Sequence, residues 1–189
     1  MFTKGFLQSG RHSSALLAAQ QYLVLAADLY SVNDLNLIPA YCLLAEVCIG
    51  LNKLREGEQH LQKANWVVKR NHDAENINSV NSRLYRAFGL VQAAKGNNEE
   101  ALRLFAEQVY YSSLVAGTES IGAANGYYNL GNVWSREPNQ QQALSLYIKA
   151  VECWLQIIEE KNLSLSEAEI GETMNMLTTT AEVCFKIFI

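Results

Sequence analysis

The residue types that ordinarily carry chemistry are few in this chain, and they are scattered. Three histidines stand at 12, 60 and 72, and four cysteines at 42, 48, 153 and 184. The histidines fall near the ends or polar faces of predicted helices, where solvation or capping is their ordinary use. Cys42 and Cys48 are six residues apart. On a helix that spacing puts them on different faces, so they read as small core residues rather than a metal pair. No CxxC pair, HExxH or Gly-rich phosphate loop occurs, and neither does a Ser/His/Asp order. The stretch "GTESIG" (117–122) lacks the GxSxG spacing of a nucleophile elbow and reads as a link between helices. No catalytic residue, metal ligand or cofactor site is expected, and the chain is read as a non-enzyme. The unpaired cysteines are most economical in a reduced, intracellular setting.

Charge and length narrow the rest. The 189 residues carry a formal net charge of −4, and 49% are hydrophobic against 18% charged. That is a globular composition. No Lys/Arg stripe appears, which argues against nucleic acid and anionic membrane as partners. No run approaches 18 apolar residues and the first ten offer no signal-peptide core, so no membrane span or leader is expected. With two prolines and a preponderance of helix formers, the fold class is all-α.

The positional chemistry lies in a repeat. Small residues at Ala15, Gly57, Ala101 and Ala143 are spaced by 42, 44 and 42. Between them stand "YCLLAEVC", "YRAFGLVQ" and "YYNLGNVW", each with a large residue followed by a small one: Leu44-Ala45, Phe88-Gly89 and Leu130-Gly131. Each of these small residues precedes the next anchor by twelve. Two antiparallel helices per repeat explain the spacing, because small residues at a crossing let the axes approach to about 8 Å. A helical glycine costs about 1 kcal/mol relative to alanine, which close packing must offset. Helices are expected over 11–31, 37–51, 54–71, 76–95, 98–116, 120–135, 139–160 and 165–187. Pro39 suits a first turn, and "KGNNEEAL" reads as stop, cap and acidic first turn.

This grammar is that of the tetratricopeptide repeat, an α-α solenoid that winds into a right-handed superhelix. The fourth repeat matches best, through Tyr127, Leu130, Gly131, Trp134, Ala143, Tyr147 and Ala150. The third departs at Gln92 and Gln108, and the second has Cys48 for an aromatic. The 42-residue period resembles that of kinesin light chains. One array is expected over 1–189, with repeats at 1–33, 34–74, 75–117, 118–162 and a partial unit at 163–189. The aromatic set (Trp66, Trp134, Trp154, Tyr41, Tyr85, Tyr127, Tyr147) falls on repeat positions and is expected in the core. In such arrays the first helix of each pair lines a groove. The groove-facing positions here are Glu46, Arg83, Arg86, Asn125, Asn129 and Asn132. An asparagine there can hydrogen-bond both N–H and C=O of an extended peptide, and Asn129 resembles the groove asparagine of kinesin light chain repeats. The apolar ending "CFKIFI" lacks the polar cap of a solenoid terminus. It is the other surface expected to meet a protein partner, or else a sign of truncation.

Several stretches carry a narrower resemblance. "IPAYCLLAE", "LQKANWVV", "GTESIGAANGYYNLGNVW" and "LYIKAVECW" resemble the repeat region of the zinc finger MYND domain-containing protein 12 family. The similarity runs from about residue 10 to 155. It implies a structural protein of the ciliary or flagellar axoneme, associated with an inner dynein arm. The implied partners are dynein arm subunits and a protein resembling tetratricopeptide repeat protein 29. No cysteine precedes Cys42, so the family's zinc finger and its metal are not carried over. The second expectation is a cytosolic cargo or signalling adaptor of kinesin light chain type.

Overall fold

The computed structural model describes residues 12–136 and 140–160, together with part of 171–182. The expectations for Pro138, for most of the last helix and for the apolar ending lie outside those residues. Seven α-helices are described in full: α1 (His12–Leu29), α2 (Ile38–Gly50), α3 (Leu54–Arg70), α4 (Ile77–Lys95), α5 (Asn98–Ala116), α6 (Ile121–Trp134) and α7 (Gln140–Glu160). Each lies within two residues of its sequence-predicted span, and no strand occurs among the described residues.

The helix ends follow local chemistry. Pro39 sits in the first turn of α2, behind a 3-10 turn at Leu35–Leu37 whose cap, Asp34, accepts from the Asn36 N–H at 2.8 Å. Gly96 ends α4 at φ +82°, a left-handed position that a side chain would strain. Ser120 caps α6 by accepting from the Ala123 N–H. Glu99 and Glu100 occupy the first turn of α5, and Lys69 and Arg70 the last turn of α3. Both placements complement the helix dipole.

The chain divides into two compact units between Leu104 and Phe105, within α5. In the first, α2 and α3 form a hairpin, with α1 packed on α2 and α4 packed on both α2 and α3. Ala15 and Ala19 of α1 meet Leu44 and Val47 of α2. On the hairpin's other side Cys42, Leu61, Ala64 and Val67 close over Val80, Leu84, Ala87 and Val91. A fully buried aliphatic of this kind contributes about 1.5–3 kcal/mol. In the second unit α6 and α7 form the hairpin, and Ala124, Ala150, Cys153, Trp154 and Ile157 make its core.

Two of the small-residue positions can be followed, and they differ. A Cβ added to Gly57 would lie 3.2 Å from the Cys48 Cβ and 3.4 Å from the Ala45 carbonyl oxygen. That is the expected meeting of Gly57 with Ala45. At Gly131 the nearest group is the Tyr147 ring, at 2.8 Å from an added Cβ. The nearest neighbour of Gly131 is therefore the aromatic four residues beyond the Ala143 anchor, and not Ala143 as the twelve-residue spacing predicts, because the ring needs the room that a side chain at 131 would take. Ala143 itself is fully buried.

Trp66 departs from expectation. It is 52% exposed, with the Arg70 guanidinium 4.8 Å above its ring. The reason is register. Trp66 stands nine residues past its anchor, as do Val24, Tyr110 and Glu152, and all four are exposed. Two positions further on, Ala26, Val68, Ser112 and Trp154 are all buried. A hundred degrees per residue separates these rows, so the repeat position outranks the aromatic character of the side chain.

Candidate functional site

The first unit brings Glu46, Arg83 and Arg86 onto neighbouring helices α2 and α4. The Arg86 Nη1 donates to Glu46 Oε1 at 2.9 Å, in a half-buried ion pair. Arg83 is exposed, and its backbone carbonyl accepts a long contact, 3.9 Å, from the Cys42 thiol. Burial pushes that thiol up to about 12, and the Glu46 carboxylate adds to the rise. Cys42 is therefore a neutral packing group, not a nucleophile. The chemistry on offer is recognition: one fixed acid–base pair and one outward guanidinium.

In the second unit Asn125, Asn129 and Asn132 stand on α6 at i, i+4 and i+7, a spacing that places them along one side of the helix. Their environments differ. Asn125 and Asn132 are half-buried. The Asn132 Oδ1 accepts from the Tyr147 hydroxyl at 2.9 Å, which pins the ring that fills the Gly131 notch. Asn129 is only 8% exposed, and its Nδ2 donates to Gln108 Oε1 at 3.3 Å. Gln108, 2% exposed, donates in turn to the Gly122 carbonyl at 3.2 Å. The Asn129 amide is thus engaged inside the unit through this relay.

The relay gives meaning to the two glutamines that broke the repeat pattern. Gln108 ties α5 to α6 through two hydrogen bonds. Close packing accompanies it, since a Cβ on Gly126 would collide with the Val109 Cγ2. In the first unit Gln92 donates to Glu58 at 3.4 Å and accepts from Asn97 at 2.7 Å, while the Lys95 Nζ reaches Glu58 at 2.5 Å. Polar residues at positions where aromatic or small ones are usual were the available signal. A buried glutamine at a repeat position needs partners, and the helices facing it supply them.

His60 also departs from the solvated reading. It is half-buried beside Tyr41, ring centroids 6.4 Å apart. Burial holds its pKa below the usual histidine value, with Lys63 adding to the depression. His72 is exposed and lies 3.1 Å from Asp73. Among the described residues, no group of three or more His, Cys, Asp or Glu is placed to hold a metal ion, and no helix is long and apolar enough to cross a membrane.

The fold is similar to that of solved helical-repeat structures. The crystal structure of BtubC (BKLC) from P. vanneervenii aligns with a TM-score of 0.62 at 16% identity, over 96% of this chain and 70% of that one. A Podosopora anserina kinesin light chain with nearly identical TPR-like repeats aligns with a TM-score of 0.54 at 14% identity, over 98% and 93%. A single-substitution form of that protein gives 0.56 at 14% identity, over 98% and 92%. No family model matches the chain. The fold class is therefore an all-α, α-α solenoid of the tetratricopeptide type.

Proposed function

We propose that the chain is a non-catalytic protein-interaction scaffold of the ciliary or flagellar axoneme, working beside an inner dynein arm. The observation that carries this reading is the coincidence of tetratricopeptide-type helical pairs with the non-generic stretches around Trp66, Gly117-Thr118-Glu119 and Trp154. The stretches resemble the axonemal family, and the pairs supply a surface suited to holding other proteins. Its chemistry is that of recognition: the exposed Arg83 guanidinium, the Glu46–Arg86 pair and the half-buried Asn125 and Asn132 of α6. Dynein arm subunits and a protein resembling tetratricopeptide repeat protein 29 are the proposed partners.

Epitope-tagged protein expressed in a ciliated cell tests the reading. Axonemal signal that falls when inner dynein arms are lost supports it. A diffuse cytosolic signal, unchanged by loss of the arms, overturns it. The likeness of the fold to a solved kinesin light chain favours one second reading, a cytosolic cargo or signalling adaptor. Capture of extended cargo peptides by cytosolic protein, with no axonemal pool, would replace the first reading with that one.

A further inference from the structure

The outer face of α3 carries a charge pattern that its repeat equivalents lack. Gly57, the anchor of α3, is buried. The places two before it and two, five, six, nine, twelve and thirteen after it point within about 60° of the opposite direction, at about 100° per residue. They hold Arg55, Lys63, Trp66, Lys69 and Arg70, with glutamine at 59 and 62, and all seven side chains are exposed. In the sequence the four cations are spread over sixteen residues and make no run. The helix gathers them on one side. The same seven places carry a net charge of −1 in α1 (Asp28), −1 in α5 (Glu99, Arg103, Glu107) and 0 in α7 (Lys149, Glu152), against +4 in α3.

Helix-end chemistry explains only part of this. Lys69 and Arg70 suit the last turn of α3, but Arg55 stands in its first turn, where the dipole disfavours a cation. The two carboxylates of α3 lie off the face and are engaged elsewhere, Glu56 with Lys53 and Glu58 with Lys95. Among the described residues, none of the four cations of the face is in an ion pair. The Trp66 ring, with the Arg70 guanidinium 4.8 Å from its centroid, puts a flat apolar surface among them. The opposite side of α3 is closed by the core, through Leu61, Ala64, Val67 and Val68. Helix pairs that extend a solenoid stack at its ends, and α3 has described helices both before and after it in the chain.

We propose that this face docks an acidic protein segment in extended form, with an apolar residue among its carboxylates. Charge complementarity selects the acids, and Trp66 selects the apolar residue. Arg55 to Arg70 covers about 22 Å of helix, the length of about seven extended residues. Carboxylates accept hydrogen bonds from Lys and Arg, and Trp and Arg are the side chains that most often anchor an interface. Two other anions fit less well. Proteins that grip duplex nucleic acid neutralise roughly six to ten phosphates, more than four cations on one helix supply. A helix that lies on a membrane sinks a whole apolar face into it, whereas the apolar side of α3 is spent on the core. The docking face does not depend on the axonemal reading.

Fluorescence anisotropy with a labelled peptide of six glutamates around a central leucine is the test, on the full chain. Saturable binding is expected, weakened about tenfold between about 50 and about 500 mM salt. Lys63→Glu/Lys69→Glu should weaken it at least tenfold with circular dichroism unchanged. Lys149→Glu, at the place in α7 that Lys63 holds in α3, should leave it unchanged. Absence of saturable binding overturns the proposal, and so does equal affinity in the double variant. Tighter binding of an RNA oligomer or of phosphatidylserine vesicles, lost in the same variant, overturns the choice of an acidic protein segment. Carbodiimide coupling of the peptide to the wild type keeps the test independent of how the variants fold. Mass spectrometry should map the links to Lys63 or Lys69, and links that map only elsewhere refute the assignment to α3.

Discussion

Gly131→Ala sets two known quantities against each other. Alanine is the better helix residue by about 1 kcal/mol, so in an open helix the substitution would stabilise by that amount. Here the new Cβ would stand 2.8 and 2.9 Å from two carbons of the Tyr147 ring, closer than carbon atoms approach at rest. The ring cannot easily move aside. Tyr147 is fully buried, and its hydroxyl is held by Asn132 at 2.9 Å. Overpacking of this sort costs about 1–3 kcal/mol. The net expectation is a loss of up to about 2 kcal/mol, and for a chain of this length each kcal/mol lowers the melting temperature by about 2–4 °C. Gly57→Ala is the internal control. Its Cβ would sit 3.2 Å from the Cys48 Cβ and 3.4 Å from the Ala45 carbonyl oxygen, a fit that yields by a few tenths of an ångström. Strain and propensity should nearly cancel there. Thermal and urea unfolding followed by circular dichroism measure both variants. If Gly131→Ala raises the melting temperature, the Tyr147 ring does not fill that notch and the hairpin crossing is wrongly drawn. A double-mutant cycle with Tyr147→Leu isolates the contact, and its coupling should recover most of the loss.

Three further expectations follow from buried groups. Asn129→Ala should destabilise by about 1–3 kcal/mol by leaving the buried Gln108 amide a partner short; denaturant unfolding that shows no loss would place Asn129 outside the relay. The folded state holds the His60 pKa below its unfolded value, so the unfolded chain takes up the proton first as pH falls. The His60 contribution to stability should therefore be constant above the unfolded pKa of ~6.5 and decline below it. His60→Gln should remove that part of the decline, and identical pH profiles for the two proteins would contradict the burial. Cys42, with its thiol pushed up to about 12, should resist alkylation at pH 8 until the chain unfolds; rapid native labelling mapped to Cys42 would show that the α2–α4 packing is open.

Much of the fold was legible because it is written twice, once in helical periodicity and once in the 42-residue recurrence. The helix ends agreed within two residues because glycines, Pro39 and the capping side chains act locally. The candidate site was legible only as a set of positions. Asn125, Asn129 and Asn132 share one side of α6, yet one of them is spent on Gln108, a residue 21 positions away whose approach no local pattern announces. Glu46 and Arg86, 40 residues apart, meet for the same reason, because α4 packs on α2.

By itself the sequence determined the helices and the positions of their small residues, since helical period and residue size are properties a chain carries before it folds. Only tertiary structure decided which polar groups the helix crossings enclose and which apolar ones they leave open. Burial depends on the neighbour across the gap: Trp66 stays in solvent at a position that faces outward in each of the four anchored helices, and Asn129 is drawn inward by a glutamine.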